Sequence, residues 1–221
     1  MTAPREEAPP TPAHREREAA PPRPPGGFAP RRATLADLGT IMALERASFP
    51  TDAWSEASMR AELESPHNVY LVLEEAGRVL GYAGLRAPAG ARDGDVQTIA
   101  VSQASRARGR GRMLLTALLE EARARGIHEM FLDVREDNPV ARALYASEGF
   151  VDIGRRPRYY QPDDVDAVVM RLDLDAWAAA RAAASSEEIR HTEDAPGETS
   201  PPLGGSPPLR AALASDAGWC T

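Results

Sequence analysis

The spacing of apolar residues predicts ten helices and strands between about residues 31 and 174. Leu38 and Ile41 recur at helical spacing, whereas Met170 and Leu172 alternate as in a half-buried strand. In chain order, the expected elements are a helix over 35–47, a short helix carrying Met59 and Leu63, strands over 69–73, 79–85 and 95–101, a helix that Gly126 ends, a strand over 130–134, a helix from Pro139 that Gly149 ends, and strands over 151–153 and 165–172. This order predicts one mixed α/β domain.

Capping residues support three of these helices. Thr34 and Asp37 stand three residues apart, as in a capping box before the first helix. Asn138 precedes Pro139, and proline is favoured at the first position of a helix. Gly126 follows the third helix, where a glycine with a left-handed conformation is common.

A turn rich in arginine and glycine leads from the third strand into the third helix. It reads Arg106-Ala107-Arg108-Gly109-Arg110-Gly111 and is followed by Arg112. A turn that opens a helix presents free backbone N–H groups and the positive end of the helix dipole, which suit a phosphate. The dipole disfavours arginines at this end by about 0.3–1 kcal/mol each, and a bound polyanion would offset that cost. The turn therefore predicts an anion cradle.

The residues alone leave two other interpretations of this turn open. An Arg/Gly run can be a solvated basic patch, or it can contact nucleic acid. The turn does not match the dinucleotide fingerprint, because Leu114 stands where a third glycine or alanine is required. It is not a nucleotide-binding P-loop either, because it has no lysine followed by serine or threonine.

Composition changes abruptly on both sides of the domain. Residues 1–30 are rich in Pro, Ala, Arg and Glu, and we expect them to be a disordered tail because they have little apolar surface to bury. Residues 175–221 are rich in Ala, Ser and Glu and then in Pro and Gly. A helix over 175–186 is compatible with that composition, and the remainder is expected to be disordered.

Charge and cysteine content narrow the class of protein. The 221 residues carry a net charge of −7, which makes nucleic acid an unfavourable main partner. The single cysteine, Cys220, permits no internal disulfide and fits a reducing cytoplasm. No apolar run approaches the roughly 20 residues that span a bilayer, and no apolar signal core is visible, so we expect a cytoplasmic protein without membrane contact. His67 and His128 have no partners at metal-ligand spacing, so no metal is expected.

Three motifs together resemble the GNAT superfamily of acetyl-CoA-dependent N-acetyltransferases. They are the strand Thr98-Ile99-Ala100-Val101, the signature Arg106-x-x-Gly109-x-Gly111, and Asn138 followed by Ala143-Leu144-Tyr145-x-x-x-Gly149-Phe150. The match covers nearly all of residues 31–174 and neither tail. The resemblance implies a GNAT-like fold, in which helices flank a central mixed, mostly antiparallel sheet.

Four further stretches are similar to the RimI-type subfamily. These are Phe49-Pro50-x-Asp52-Ala53-Trp54-Ser55, Ser65-Pro66-His67-Asn68, Leu132-Asp133-Val134-Arg135-x-x-Asn138 and Arg158-Tyr159-Tyr160. Enzymes of this subfamily acetylate the N-terminal alanine of a small-subunit ribosomal protein. The resemblance therefore implies that a ribosomal protein N-terminus is the substrate.

The resemblance also implies where acetyl-CoA would bind. Its pyrophosphate would lie on the N–H groups of Arg108 to Arg112, and its pantetheine arm would run beside Ile99 to Val101 as a pseudo-strand. A backbone N–H near Val101 would polarise the thioester carbonyl. The implied contact residues are Ile99, Ala100, Val101, Arg106, Ala107, Arg108, Gly109, Arg110, Gly111, Arg112 and Asn138.

Two catalytic roles follow from the same resemblance. The substrate amine must lose a proton before it attacks, and Asp133 matches the position of the base. Tyr145 matches the acid that protonates the departing CoA thiolate. RimI-like sequences usually carry Glu at position 133, so the shorter Asp133 would need a bridging water, and Glu136 is a second candidate base. Without the family, Tyr145 would be interpreted as a core aromatic and Asp133 as a partner of Arg135.

Three other functions remain open from the sequence. The chain could acetylate a small amine, such as an antibiotic, a polyamine or an amino acid. It could also bind acetyl-CoA without turnover. A nucleic-acid module built on the Arg/Gly turn is the third, and salt-sensitive RNA binding would identify it.

Overall fold

The computed structural model describes residues 29–193, with side chains up to residue 186. Within these residues, seven strands form one sheet in the order β1-β2-β3-β4-β5-β7-β6. The strands are β1 Pro30–Arg32, β2 Asn68–Glu75, β3 Arg78–Arg86, β4 Asp93–Val101, β5 Glu129–Arg135, β6 Val151–Tyr160 and β7 Val165–Asp173. The helices are α1 Leu38–Ser48, α2 Glu56–Glu64, α3 Arg110–Ala124, α4 Pro139–Ser147 and α5 Leu174–Glu193, with single 3-10 turns at Leu35–Asp37 and Gln103–Ser105.

The sheet opens at its only parallel pair of strands within residues 29–193. Five neighbouring pairs are antiparallel, whereas β4 and β5 are parallel. Their pairing begins at Asp93 with Glu129 and ends at Asp95 with Phe131. Beyond that point each strand keeps its outer partner only, and a gap lies between them.

A β-bulge lies at the start of this gap. Gly84 of β3 pairs with Thr98 of β4, but the next residue, Leu85, pairs with Val96. Gln97 is therefore the extra residue on β4. A bulge of this kind bends the strand and re-aims its backbone groups.

Apolar residues pack on both faces of the sheet. Successive side chains of a strand point to opposite faces, and accordingly Leu71 belongs to one core cluster and Val72 to the other. The first cluster joins the sheet to α3, α4 and the start of α5, and includes Leu118. The second joins it to α1 and α2 and includes Ile41 and Met59. The site described below lies between these two layers.

Most of the predicted elements are confirmed, including the strands β2 to β5 and the cap of α4. Ser55 Oγ accepts from the N–H of Ser58 at 3.0 Å, and Asn138 Oδ1 accepts from the N–H of Ala141 at 3.0 Å. The mixed, mostly antiparallel sheet flanked by helices is the predicted fold class.

Three elements differ from the sequence prediction. β1 was not predicted, because three residues beside a proline give no alternation, and its strand character comes from pairing with β2. β6 continues to Tyr160, although only 151–153 were predicted, because it is an exposed edge strand without an apolar face. α5 begins at Leu174 and extends beyond residue 186, and Trp177 is only 7% exposed in the core. Of the tails predicted over 1–30 and 175–221, residues 1–28 and 194–221 lie outside the described residues.

Candidate active site

The gap between β4 and β5 forms a cavity of about 160 Å³. Strand β4 contributes Ile99, β5 contributes Asp133, and α4 contributes Tyr145 together with its N-cap residue Asn138. The helix α1 and the loop after it complete the wall with Glu45, Phe49, Asp52 and Trp54. The fold therefore brings both predicted catalytic residues to one cavity.

Tyr145 presents an unengaged hydroxyl to this cavity. Its ring packs edge-on against Phe150, with centroids 5.8 Å apart. Among the described residues its hydroxyl has no hydrogen-bond partner. Burial raises the pKa of Tyr145 to about 12. The hydroxyl is therefore protonated at neutral pH and can donate a proton.

Asp133 has one paired and one free carboxylate oxygen. Oδ2 lies 3.2 Å from Arg156 Nη1 of β6. Oδ1 is buried and has no hydrogen-bond partner within residues 29–186. The backbone carbonyl of Asp133 accepts from the Tyr160 hydroxyl at 3.1 Å, which fixes the strand. A buried oxygen without a partner is costly, and Oδ1 is therefore available to a bound donor.

A second cavity of about 460 Å³ opens on the sheet face opposite α3. It shares Trp54, Asp133 and Tyr160 with the first cavity, so the two meet at Asp133. Its charged lining residues also include Arg86, Asp95 and Arg156. Burial raises the pKa of Asp95, and the nearby negative charge of Asp133 raises it further. A polar acceptor fits this lining better than an apolar one.

The Arg/Gly turn has the backbone conformation of an anion cradle. Ala107 and Gly109 both have left-handed φ angles, of +58° and +72°. Helix α3 begins at Arg110, and the amide of Met113 bonds to the Gly109 carbonyl at 3.0 Å. The amides of the first turn before Met113 therefore have no carbonyl inside the helix to bond.

The arginine side chains of this turn contact the protein itself. Arg106 Nε donates to the Val101 carbonyl at 3.1 Å. Arg110 is buried and pairs with Glu75 at 2.9 Å. Arg112 pairs with Glu148 and donates to Ser147 Oγ at 2.8 Å. Acidic partners thus neutralise some of the positive charge that was explained from the sequence by a bound polyanion. The anion cradle therefore consists of the backbone amides.

Strand β4 offers a free edge to the cavity. From Val96 onward its only strand partner within residues 29–193 is β3. Ile99 and Val101 are half-buried, and Ala100 is buried. An extended ligand could pair with this edge as an added strand would.

A family comparison matches residues 38–150 to the Acetyltransferase (GNAT) family. The chain belongs to the GNAT family. Its activity is that of an acetyl-CoA-dependent N-acetyltransferase. The free β4 edge and the left-handed turn before α3 fit an extended acyl carrier with a diphosphate, which is the shape of this cosubstrate.

Curated GNAT relatives act on different acceptors. The chain is 42% identical over 145 residues to N-alpha-acetyltransferase RimI of Mycobacterium tuberculosis, covering 63% of this chain and 89% of that protein. It is 30% identical over 166 residues to the L-methionine sulfoximine/L-methionine sulfone acetyltransferase of Pseudomonas paraeruginosa, covering 68% and 96%. The solved ribosomal-protein-S18-alanine N-acetyltransferase of Escherichia coli superposes with a TM-score of 0.61 at 27% identity, covering 66% of this chain and 93% of that one.

Sequence reasoning missed three residues of this GNAT site. Glu45 lines the first cavity and is 1% exposed. Its position three and four residues after Met42 and Ile41 places a charge on an apolar helix face, which was a usable signal. Gln97 marks the bulge and Arg156 pairs with Asp133, and neither had a local signal because both depend on strand register.

The described residues contain no group of three or more His, Cys, Asp or Glu side chains arranged to hold a metal ion. None of their helices is long and apolar enough to span a bilayer. The absence of a metal therefore stays a prediction.

Proposed function

We propose that this GNAT enzyme transfers acetyl from acetyl-CoA to the N-terminal alanine of a small-subunit ribosomal protein. The observation that carries the proposal is the 42% identity to N-alpha-acetyltransferase RimI across 89% of that protein. The polar second cavity supports it, because an acceptor peptide needs room beyond its reacting amine. A ribosomal protein substrate implies that the enzyme works in the cytoplasm. The net charge of −7 makes direct contact with nucleic acid unfavourable, so none is expected.

Asp133 is proposed as the base. The acceptor amine is cationic at neutral pH and must lose a proton before it can attack. Oδ1 of Asp133 has no protein donor among the described residues and lies where the two cavities meet. Because aspartate is one methylene shorter than glutamate, a water molecule is expected to relay the proton. Glu136 pairs with Arg155 and lines neither of these two cavities, which makes it the weaker candidate.

Tyr145 is proposed as the acid that protonates the departing thiolate. Its raised pKa keeps the proton in place until the leaving group develops charge. The backbone amides of Arg108 to Arg112 are proposed to hold the diphosphate, with Arg106 and Ala107 lining the turn. Ile99 to Val101 would pair with the pantetheine arm, and an amide near Val101 would polarise the thioester carbonyl. Asn138 would contact CoA in addition to capping α4.

Acetylation of a small amine is the alternative. The specific observation in its favour is the 30% identity to a methionine sulfoximine acetyltransferase, of which this chain covers 96%. Both functions share the same donor site and differ only in the acceptor.

Mass spectrometry of acetylated products distinguishes the two functions. The enzyme is incubated with acetyl-CoA and an Ala-starting peptide from ribosomal protein S18, or with L-methionine sulfoximine. We expect one acetyl group on the peptide, located at its amino end. The same peptide with a blocked N-terminus is the control and should gain nothing. A peptide left unmodified by saturating enzyme, together with acetylated sulfoximine, would replace the first proposal with the second.

A further inference from the structure

Glu45 is a buried carboxylate that the proposed reaction does not use. It lies on α1 and is 1% exposed. Oε1 accepts from the backbone N–H of Trp54 at 3.0 Å, and Oε2 accepts from the Tyr82 hydroxyl. Because a buried charge is costly unless it is fully hydrogen-bonded, both oxygens are held in fixed directions. Glu45 therefore joins the loop after α1 to strand β3.

Tyr82 extends this connection to strand β4. Its hydroxyl oxygen lies 3.4 Å from Thr98 Oγ1. Since the single Tyr82 proton is donated to Glu45, Thr98 is the donor in this second bond. Burial, and then the charge of Glu45, raises the pKa of Tyr82, so its proton stays in place. The order of donors is thus Thr98 to Tyr82 to Glu45.

Side-chain contacts of Gln97, the extra residue of the bulge, and of Thr98, which follows it, hold the β4 bulge in place. Thr98 contacts Tyr82, and Gln97 Oε1 lies 3.1 Å from the Tyr70 hydroxyl. A Cβ at Gly84 would lie 2.7 Å from the Tyr70 ring, so glycine is required for that ring to reach the bulge. These contacts replace the strand partner that β4 lacks beyond Asp95.

We propose that Glu45 is a positioning residue that couples the acceptor side of the site to its donor side. Through Trp54 it fixes the loop over 49–55, which lines both cavities. Through Tyr82 and Thr98 it fixes β4 at the bulge. The inference rests on the proposed function in one respect, namely that the donor lies along β4 and the acceptor passes Trp54.

Two variants alter this connection in different ways. In Glu45→Gln, the amide oxygen can keep the Trp54 N–H, and the NH₂ group then faces Tyr82. The Tyr82 proton must turn toward Thr98, so the donor order reverses while every contact remains. Tyr82→Phe keeps the ring and removes the connection to Thr98. Glu56→Gln is the matched control, because Glu56 is exposed on α2 and its ion pair with Arg60 is long at 4.0 Å.

Kinetics and calorimetry distinguish a positioning role of Glu45 from a general loss of folding. Misplacement of a site element costs up to about a hundredfold in rate, so we expect kcat to fall between about tenfold and a hundredfold in Glu45→Gln and in Tyr82→Phe. The Kd of acetyl-CoA should rise only a few-fold, because the amides before α3 are untouched and only the β4 part of the donor site is disturbed, and Glu56→Gln should match wild type. Wild-type kcat in the two folded variants overturns the proposal.

A double-mutant cycle tests the route through Thr98. If Glu45 acts through Thr98, the losses in Glu45→Gln and Thr98→Val do not add in the double variant, whereas independent sites add. Full additivity overturns the route. If Glu45→Gln fails to fold, Tyr82→Phe carries the same cycle.

Hydrogen exchange provides a readout that needs no acceptor. We expect Glu45→Ala, which removes the contacts to both Trp54 and Tyr82, to lose amide protection in residues 49–55 and 96–101 together, although these segments belong to different elements. Unchanged exchange in both segments overturns the proposal for any acceptor. If the S18 peptide is not acetylated, the kinetic test uses L-methionine sulfoximine, so failure of the proposed substrate is distinguished from failure of this coupling.

Discussion

At the scale of single residues, the surroundings give Asp133 and Tyr145 opposite abilities. Asp133 keeps one buried oxygen without a donor among the described residues, which suits a proton acceptor. Burial raises the pKa of Tyr145 to about 12, which suits a proton donor. An oxygen that lacks a donor and a hydroxyl that keeps its proton are what a base and an acid at one site require.

Replacing Tyr145 by phenylalanine tests the assignment of the acid. The ring and its edge contact with Phe150 are retained, and only the proton donor is lost. We expect kcat to fall by about a hundredfold, with little change in the KM of acetyl-CoA. Because its pKa is about 12, Tyr145 stays protonated from pH 6 to about pH 10, so the hydroxyl contributes no alkaline loss there. Release of CoA measured over this range checks both points, and an unchanged kcat would show that Tyr145 is not the acid.

How far the sequence predicts a residue depends on where its partners are. Asn138 caps α4 through Ala141, three residues away, and that local pattern was visible. Asp133 and Tyr145 were found only through the family resemblance. Glu45 meets Tyr82 across 37 positions of the chain, and Arg156 meets Asp133 through the register of β5, β7 and β6. No local pattern contains contacts of that kind.

At the scale of elements, the strand–turn–helix unit before α3 was predictable in its backbone and not in its side chains. The Gly-bearing turn predicts the helix start, and the left-handed conformation of Gly109 is typical of glycine, whereas that of Ala107 has no signal in the sequence. The partners of Arg110 and Arg112 are Glu75 and Glu148, which lie 35 and 36 residues away. Because these partners are distant in the chain, they could not be seen in the sequence, and all four arginine charges were explained by a bound ligand.

Alanine at Gly109 should weaken donor binding. Gly109 has a φ of +72° with open space around its Cα, and Gly90 has a φ of +77° in an equally open loop. A side chain at either position costs about 1–2 kcal/mol of stability through the left-handed backbone alone. Only Gly109→Ala also disturbs the amides before α3. A hydrogen bond to a charged group contributes about 1.5 kcal/mol or more, so the loss of one such bond should weaken acetyl-CoA binding by at least about tenfold.

Gly90→Ala is therefore the matched control for this variant. Thermal unfolding should show similar destabilisation of the two proteins, whereas calorimetry with acetyl-CoA should separate them. Equal affinities for acetyl-CoA in the two variants would show that the diphosphate does not bind at the turn before α3.

At the scale of the whole molecule, a charged cluster attaches the first strand to the rest of the domain. Arg31 of β1 donates to Asp37 at 2.8 Å and to Glu74 of β2 at 2.6 Å. Asp37 also accepts from the Thr34 N–H at 2.8 Å, which completes the capping box before α1. The cluster thus joins an edge of the sheet to the helical layer that carries Glu45.

The same cluster makes the stability of the domain depend on pH. Hydrogen bonds from Arg31 hold the pKa of Asp37 below its ordinary value of 3.8. A carboxyl whose pKa is depressed by folding stabilises the protein above the unfolded pKa, and the stabilisation is lost as pH falls through the folded pKa. We expect Asp37→Asn to be less stable than wild type by about 1–3 kcal/mol at pH 7. The difference should narrow below pH 3.8 and then disappear, because wild-type Asp37 becomes protonated as well.

Urea unfolding at pH 7, 5, 4 and 3 measures this difference directly, and Asp137→Asn supplies the control. Asp137 also has a lowered pKa, caused by hydrogen bonds from Arg135, but its side chain is 54% exposed. Solvent screens such a pair, so its loss should change the free energy of unfolding by less than about 1 kcal/mol. A gap between wild type and Asp37→Asn that stays constant down to pH 3 would mean that the stabilisation comes from packing of β1. A gap that closes would show that the Arg31–Asp37 charge pair attaches this edge strand.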